Sequence, residues 1–314
     1  MSEPLAILQA LVERLDQGQP CALCTVVNTR GSTPQTAGAM LLVDPSGETQ
    51  GTIGGGCVEA EVRRRALALL RDGESALLRL ALDHDFGWDD GLICGGSMEV
   101  AVVSLTDPAR GTPFREAAAR LQRQEAAQIP LRVRHEQRVL EYRLNVDAAP
   151  TLLIAGAGHV GAAVAKLAMG LDFRVVVIDD RADLLTPARL PPPIETAPGD
   201  IRRLLAEWPI GPNTYVVIVT RGHSHDEQAL QAVIDSPAKY VGMIGSKRKI
   251  QVIFDDLERL GVAREKLDRV RAPIGLKIGA VTVPEIAVSI VAELIHVRRA
   301  EPLRAVEGPL EVRG

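Results

Sequence analysis

The sequence predicts an α/β protein in two parts. An N-terminal mixed α+β domain (residues 1–147) precedes a C-terminal domain built on a parallel sheet (148–300), with 301–314 as a loose tail. Three observations predict this. A chain of 314 residues is long enough for about two domains. Hydrophobic residues make up 46% of it but aromatics only 3%, so the core must be aliphatic, as in sheets layered with helices. In the second half, short apolar runs without polar alternation recur between helical patterns, which marks parallel strands covered on both faces.

The first half alternates helices and strands. Residues 4–16 form an amphipathic helix, and "CALCTVVN" is a strand of β-formers. "TRGSTPQTAG" is a loop, with Gly31, Pro34 and Gly38 as its breakers. "AMLLVD" and "ETQGTIG" make a hairpin around Pro45-Ser46-Gly47. After three glycines, "CVEAEVRRRALALLRDG" is a helix closed by Gly73. "SALLRLAL" and "SMEVAVVSL" are strands, 113–126 a helix, and two further strands flank Glu136-Gln137. The polar stretch "NVDAAP" near 146–150 divides the chain.

The second half has a steadier rhythm. "TLLIAG" is a strand, 160–171 a helix and "RVVVIDD" a strand. "TYVVIVT" follows, then a helix over 226–235, the strand "AKYVGMIG" and a helix over 247–260. A last helix runs from Pro284, suited to a first turn, to about Arg299.

Charge and cysteine usage exclude some classes of function. A formal net charge of −4 gives no electrostatic reason to bind nucleic acid or an anionic membrane. No apolar run reaches the roughly 20 residues of a membrane span. The first helix carries Glu3, Glu13 and Asp16 and lacks the basic start of a signal peptide, so a cytoplasmic protein with reduced thiols is expected.

Two groups of residues carry candidate chemistry. "LLIAGAGHVGAAVAKL" sets Gly156-x-Gly158-x-x-Gly161 directly after a strand and at the start of a helix, a Rossmann-like phosphate cradle with His159 inside it. The next strand ends in Asp179-Asp180, and Asp179 has the register of a carboxylate that holds a ribose diol. Arg221, His223 and Ser246 lie at the ends of the following strands, on the rim where ligands of open α/β sheets bind. Asp226 reads as a helix-dipole residue, and Lys247–Lys249 as a solvated face.

The second group is cysteines among glycines. Cys57 follows Gly54-Gly55-Gly56 at a helix start, and Cys94 precedes Gly95-Gly96. The positive end of a helix favours an anionic sulfur, and a thiolate suits soft metal centres. Inert, tightly packed thiols are the bland reading. Cys21 and Cys24 sit three apart on a strand, hence on opposite faces, and read as core residues.

Taken in order, "TRGSTPQTAGAMLLV", "GTIGGGCVEAEV", "DDGLICGGSMEV", "LLIAGAGHVGAAVAKLA", "VVVIDDR", "YVGMIGSKRK" and "APIGLKIGAVTVPEIAVSIVAEL" resemble the XdhC/CoxI family over roughly residues 5–300. The resemblance implies a cytoplasmic accessory protein of a xanthine dehydrogenase, without turnover of its own. Such a chaperone binds the molybdenum cofactor, as molybdopterin or a dinucleotide form, and assists its sulfuration with a cysteine desulfurase. It then passes the cofactor to a molybdenum hydroxylase client. Analogy adds a homodimer. Cys94 and Cys57 become candidate molybdenum contacts, and the glycine loops candidate phosphate holders. Where many relatives have a basic residue after the first loop's proline, this chain reads Gln35-Thr36-Ala37. The alternative is an NAD(P)-dependent oxidoreductase that uses the Rossmann-like half, with His223 or His225 as proton donor.

Overall fold

The computed structural model describes residues 2–82, 95–300 and 305–312. They fall into two compact units. Residues 2–148 form one together with the C-terminal strand, and residues 149–300 form the other.

The N-terminal unit opens with helix α1 (Glu3–Asp16), which buries Ile7, Leu8, Leu11 and Leu15 along one stripe. Strand β1 (Cys21–Arg30) pairs antiparallel with β2 (Met40–Val43), and β2 with β3 (Thr49–Gly51), as the hairpin pattern requires. Helix α2 (Gly56–Asp72) ends at Gly73, whose φ of 67° is the left-handed geometry glycine supplies to a helix end. Strands β4 (Ala76–Ala81) and β5 (Ser97–Leu105) pair antiparallel, and β5 also pairs with β1. Helix α3 (Thr112–Gln122) stops four residues short of the expected 126, where Gln124 turns to φ 62°. Strands β6 (Ala127–His135) and β7 (Arg138–Val146) flank the Glu136-Gln137 turn.

The sheet has two covered faces. One core layer joins α1 and α3 residues to Cys21 and Leu23; the other joins α2 residues to Ala22, Cys24 and Val26. Cys21 and Cys24 thus lie on opposite faces, both with no solvent exposure. Burial pushes their thiols up, to about 11 and about 12 respectively.

The second unit contains β8 (Thr151–Ala155), α4 (His159–Met169), β9 (Arg174–Asp179), β10 (Glu195–Pro198), α5 (Ile201–Glu207) and β11 (Thr214–Ile218). It continues with α6 (His223–Val233), β12 (Tyr240–Met243), α7 (Lys247–Arg259), the single turn α8 (Arg264–Leu267) and α9 (Val283–Arg299). Every strand pair is parallel, in the order β10-β9-β8-β11-β12. The order in which the chain visits its strands therefore reverses between β8 and β11, the switch point at which doubly wound folds bind ligands. One face packs on α4 and α9, the other on α5, α6 and α7. Helix α9 begins with a capping box of Thr282 and Glu285, and Pro284 lies in its first turn. β10 and α5 escaped the sequence reading because "ETAP" and "IRRLLAE" are too short and too exposed to show a period.

Val306–Val312 is not loose but forms β13, antiparallel to β7 at the sheet edge, and the eight-stranded order is β13-β7-β6-β4-β5-β1-β2-β3. The register shifts between Glu307 and Leu310, across Gly308-Pro309. Pro309 is accommodated because an edge strand with a bulge tolerates a proline. Asn145 donates to Glu307 at 3.1 Å, and Arg138 pairs with Glu311 at 2.5 Å.

Candidate functional site

In the N-terminal unit, three glycine motifs converge on one loop. A Cβ at Gly31 would lie 3.1 Å from the Gly96 Cα, and one at Gly96 would lie 2.3 Å from the Ser32 carbonyl oxygen. Ser32 and Gly95 form a parallel bridge. A Cβ at Gly54 would lie 2.6 Å from the Pro34 ring. The Cys57 turn and the Gly95-Gly96 segment therefore both pack against residues 30–34, and glycine is what lets the backbones approach.

Other glycines of these motifs have a different job. Gly55, Gly56 and Gly95 have φ of 69°, 54° and 59°, and nothing lies within 4 Å of a Cβ built on any of them. They shape the turn and leave the space over it open. Cys57 is the second residue of α2, a free, half-buried thiol beside that space. Glu59 fixes the turn: its Oε2 accepts from the Gly55 amide at 3.2 Å and the Thr52 hydroxyl at 2.9 Å, and Thr52 Oγ1 accepts from the Gly54 amide at 3.2 Å. The sequence signal for this was a glutamate in the first turn of a helix that starts at glycines, where a carboxylate meets free backbone amides. Cys94 lies outside the described residues.

In the second unit the glycine loop has the steric logic of a phosphate cradle. Gly156 takes φ 114°, and a Cβ there would lie 2.5 Å from the Val219 carbonyl oxygen, across the switch point. A Cβ at Gly161 would lie 1.9 Å from the Gly156 carbonyl oxygen, so only glycine lets α4 sit this close. Gly158, which precedes the helix, has open space where its Cβ would be, and His159, the first helical residue, is exposed. Within the loop, the Gly156 amide donates to the Ile178 carbonyl at 2.8 Å and the Ala157 amide to Asp179 at 2.6 Å. The amides of the first turn of α4, which have no partner within the helix, remain to meet an anion.

Asp179 does not serve as a ribose holder. It is fully buried, and its carboxylate accepts from the Ala157 amide, the Arg181 amide, Arg181 Nε and Arg181 Nη2, all between 2.6 and 2.9 Å. Those four bonds fill the acceptor capacity of a carboxylate. Burial alone would raise its pKa, but the Arg181 guanidinium and the two amides outweigh it and hold the carboxyl at about 2. Asp179 thus locks the glycine loop in place. Arg189 clamps the same loop, with Nε 3.2 Å from the Ala157 carbonyl oxygen. Arg181 was visible in "DDR" as the residue after the acidic pair; Arg189, ten residues into a loop, carried no signal.

Asp180, one residue on, pairs with Arg221 at 2.7 Å, which brings the β9 and β11 ends together. Arg221 therefore already holds a carboxylate. Ser246 caps α7 and accepts from the Lys249 amide at 3.3 Å. Lys249 is not part of a solvated face: its ammonium pairs with Asp226, which is fully buried. Asp226 also accepts from the Thr220 hydroxyl at 2.5 Å and the Thr220 amide at 3.2 Å. It ties the β11 end to both helices instead of only answering a helix dipole. Helix α6 begins three residues before the expected 226, so His223 and His225 are helical. His223 Nε2 lies 3.5 Å from both Glu227 and Asp256.

The profile described as "XdhC Rossmann domain" matches residues 152–294, and the one described as "XdhC and CoxI family" matches 14–81. The chain belongs to the XdhC/CoxI family. The second profile spans β1 to β4 with the Cys57 turn, and the first spans the glycine loop and all five parallel strands. Among relatives, it is 31% identical over 91% of its length to the uncharacterized protein YqeB of Escherichia coli K12, of which it spans only 45%. It is 27% identical to a probable xanthine dehydrogenase component of Bacillus subtilis 168, covering 93% of this chain and 97% of that one. It is 26% identical to the molybdenum cofactor insertion chaperone PaoD of Escherichia coli K12, covering 93% and 88%. A crystal structure described as a xanthine dehydrogenase from Bacillus halodurans shares the fold, with a TM-score of 0.82 over 96% of each chain at 22% identity. Among the described residues, no helix is long and apolar enough to cross a membrane.

Proposed function

We propose that this XdhC/CoxI protein is a maturation chaperone that carries the molybdenum cofactor to a xanthine dehydrogenase-type client. The observation that carries the reading is the Cys57 turn: a free, half-buried thiol at a helix start, beside glycines whose backbones leave open space. Sulfur is the ligand type a soft metal–sulfur centre accepts, and a cargo site must stay accessible enough to release what it holds. The resemblance to a chaperone named for molybdenum cofactor insertion and to a probable xanthine dehydrogenase component supports the cargo and the client.

In this reading Cys57 contacts the molybdenum end of the cofactor, and Cys94, beside Gly95-Gly96, is the second candidate contact. The Rossmann glycine loop takes a phosphate-bearing ligand at Gly158, His159 and the first turn of α4. The protein works in the cytoplasm as a homodimer, and a cysteine desulfurase supplies the sulfur for the cofactor. An NAD(P)-dependent oxidoreductase is the second reading, favoured by the strand order and the glycine loop. Against it, Asp179 has no acceptor capacity left for a ribose.

Calorimetric titration separates the two. Purified protein is expected to bind molybdopterin and to give no heat with NAD or NADP. Saturable binding of a nicotinamide dinucleotide together with failure to bind molybdopterin would favour the oxidoreductase instead.

A further inference from the structure

Helix α6 places His223 and Glu227 four residues apart, on one face. Asp256, from the third turn of α7, completes a group whose ligand atoms all lie within 4.8 Å of one another. We propose that His223, Glu227 and Asp256 bind a divalent first-row transition ion of the zinc class.

The distances from His223 suit a shared metal better than a pair of direct hydrogen bonds. His223 Nε2 stands 3.5 Å from Glu227 Oε2 and 3.5 Å from Asp256 Oδ2. Both separations exceed the roughly 2.7–3.2 Å of an N–H···O hydrogen bond, and one ring nitrogen cannot serve two carboxylates well. Two ligands bound at about 2.0–2.2 Å in a tetrahedron stand about 3.3–3.6 Å apart, which matches the two separations measured from His223. Imidazole with carboxylates suits zinc-type ions, whereas magnesium and calcium prefer oxygen alone.

The surroundings orient the donors. Arg259 Nη2 holds the other oxygen of Asp256, Oδ1, at 2.5 Å, which leaves Oδ2 turned to His223. Such outer partners of ligating carboxylates are a regular part of metal sites. The three side chains are 40%, 25% and 28% exposed, so an ion can enter from solvent and water can complete its shell. A bound ion would tie the start of α6, directly after Gly222 and Arg221, to α7.

The test is titration of the 314-residue chain with Zn²⁺ by calorimetry and with Co²⁺ by visible absorption. A C57S/C94S background keeps these two thiols out of the measurement. One ion per chain is expected, with cobalt bands typical of nitrogen and oxygen ligands and no sulfur charge-transfer band. His223→Ala and Asp256→Asn are each expected to weaken binding at least about tenfold, with unchanged circular dichroism. Absence of saturable binding in the background protein, or binding that survives both substitutions, would overturn the site. Neither result bears on molybdenum cofactor binding, which is measured separately.

Discussion

At the scale of single residues, the chain separates side chains that build from side chains that meet a ligand. Asp179 builds. Its carboxyl is held at about 2 in the folded protein against an ordinary 3.8, so the group stabilises the fold above about pH 4 and loses that contribution as pH falls toward 2. The shift corresponds to about 2 kcal/mol. Asp179→Asn is expected to lower the unfolding free energy of the second unit by a similar amount at pH 7 and to flatten its acid dependence, as urea melts at several pH values would record. The cysteines divide in the same way. Cys21 and Cys24 are sealed, with thiols pushed up by burial, whereas Cys57 is half-buried beside an open turn. Of these three, only Cys57 should react with iodoacetamide in the native protein. Peptide mass mapping checks this, and labelling of Cys21 or Cys24 at a comparable rate would mean that the sheet opens.

At the scale of elements, the glycines decide. Gly161→Ala drives a methyl to 1.9 Å from the Gly156 carbonyl oxygen, so α4 must shift, at a cost of about 3 kcal/mol. Gly158→Ala meets nothing within 4 Å and has an ordinary φ of −61°. It should leave the melting temperature nearly unchanged while weakening any phosphate-bearing ligand of the loop. Thermal melts of the two variants give the contrast, and equal destabilisation would contradict the assigned roles. Most elements were legible: α1 and α2 from long helical apolar periods, β1 from its β-formers, and β8, β9, β11 and β12 from short unbroken apolar runs between helical patterns. The glycine loop was legible because its spacing is set by sterics. Unread were β10, α5 and β13, which are short or edge elements, and the true partners of Asp179 and Lys249. A carboxylate at a strand end looks the same in sequence whether it faces a ligand or an arginine two residues on. Only the geometry of Arg181 distinguishes the two.

At the scale of the molecule, the C-terminal strand belongs to the N-terminal unit, so residues far apart in sequence complete one sheet. Removal of residues 303–314 should leave β7 as a bare edge, speed amide exchange along Arg138–Val146 and promote association through that edge, while exchange in β8 and β9 is unchanged. The function proposed for the whole chain rests on its thiol-bearing turn. The most direct measurement is molybdenum and pterin analysis of protein purified from a molybdenum-replete host, for the wild type and for Cys57→Ala and Cys94→Ala. Wild-type protein should carry molybdenum and pterin in equal amounts, and Cys57→Ala should lose most of both while remaining folded. Wild-type protein free of pterin, or full loading of both cysteine variants, would contradict it.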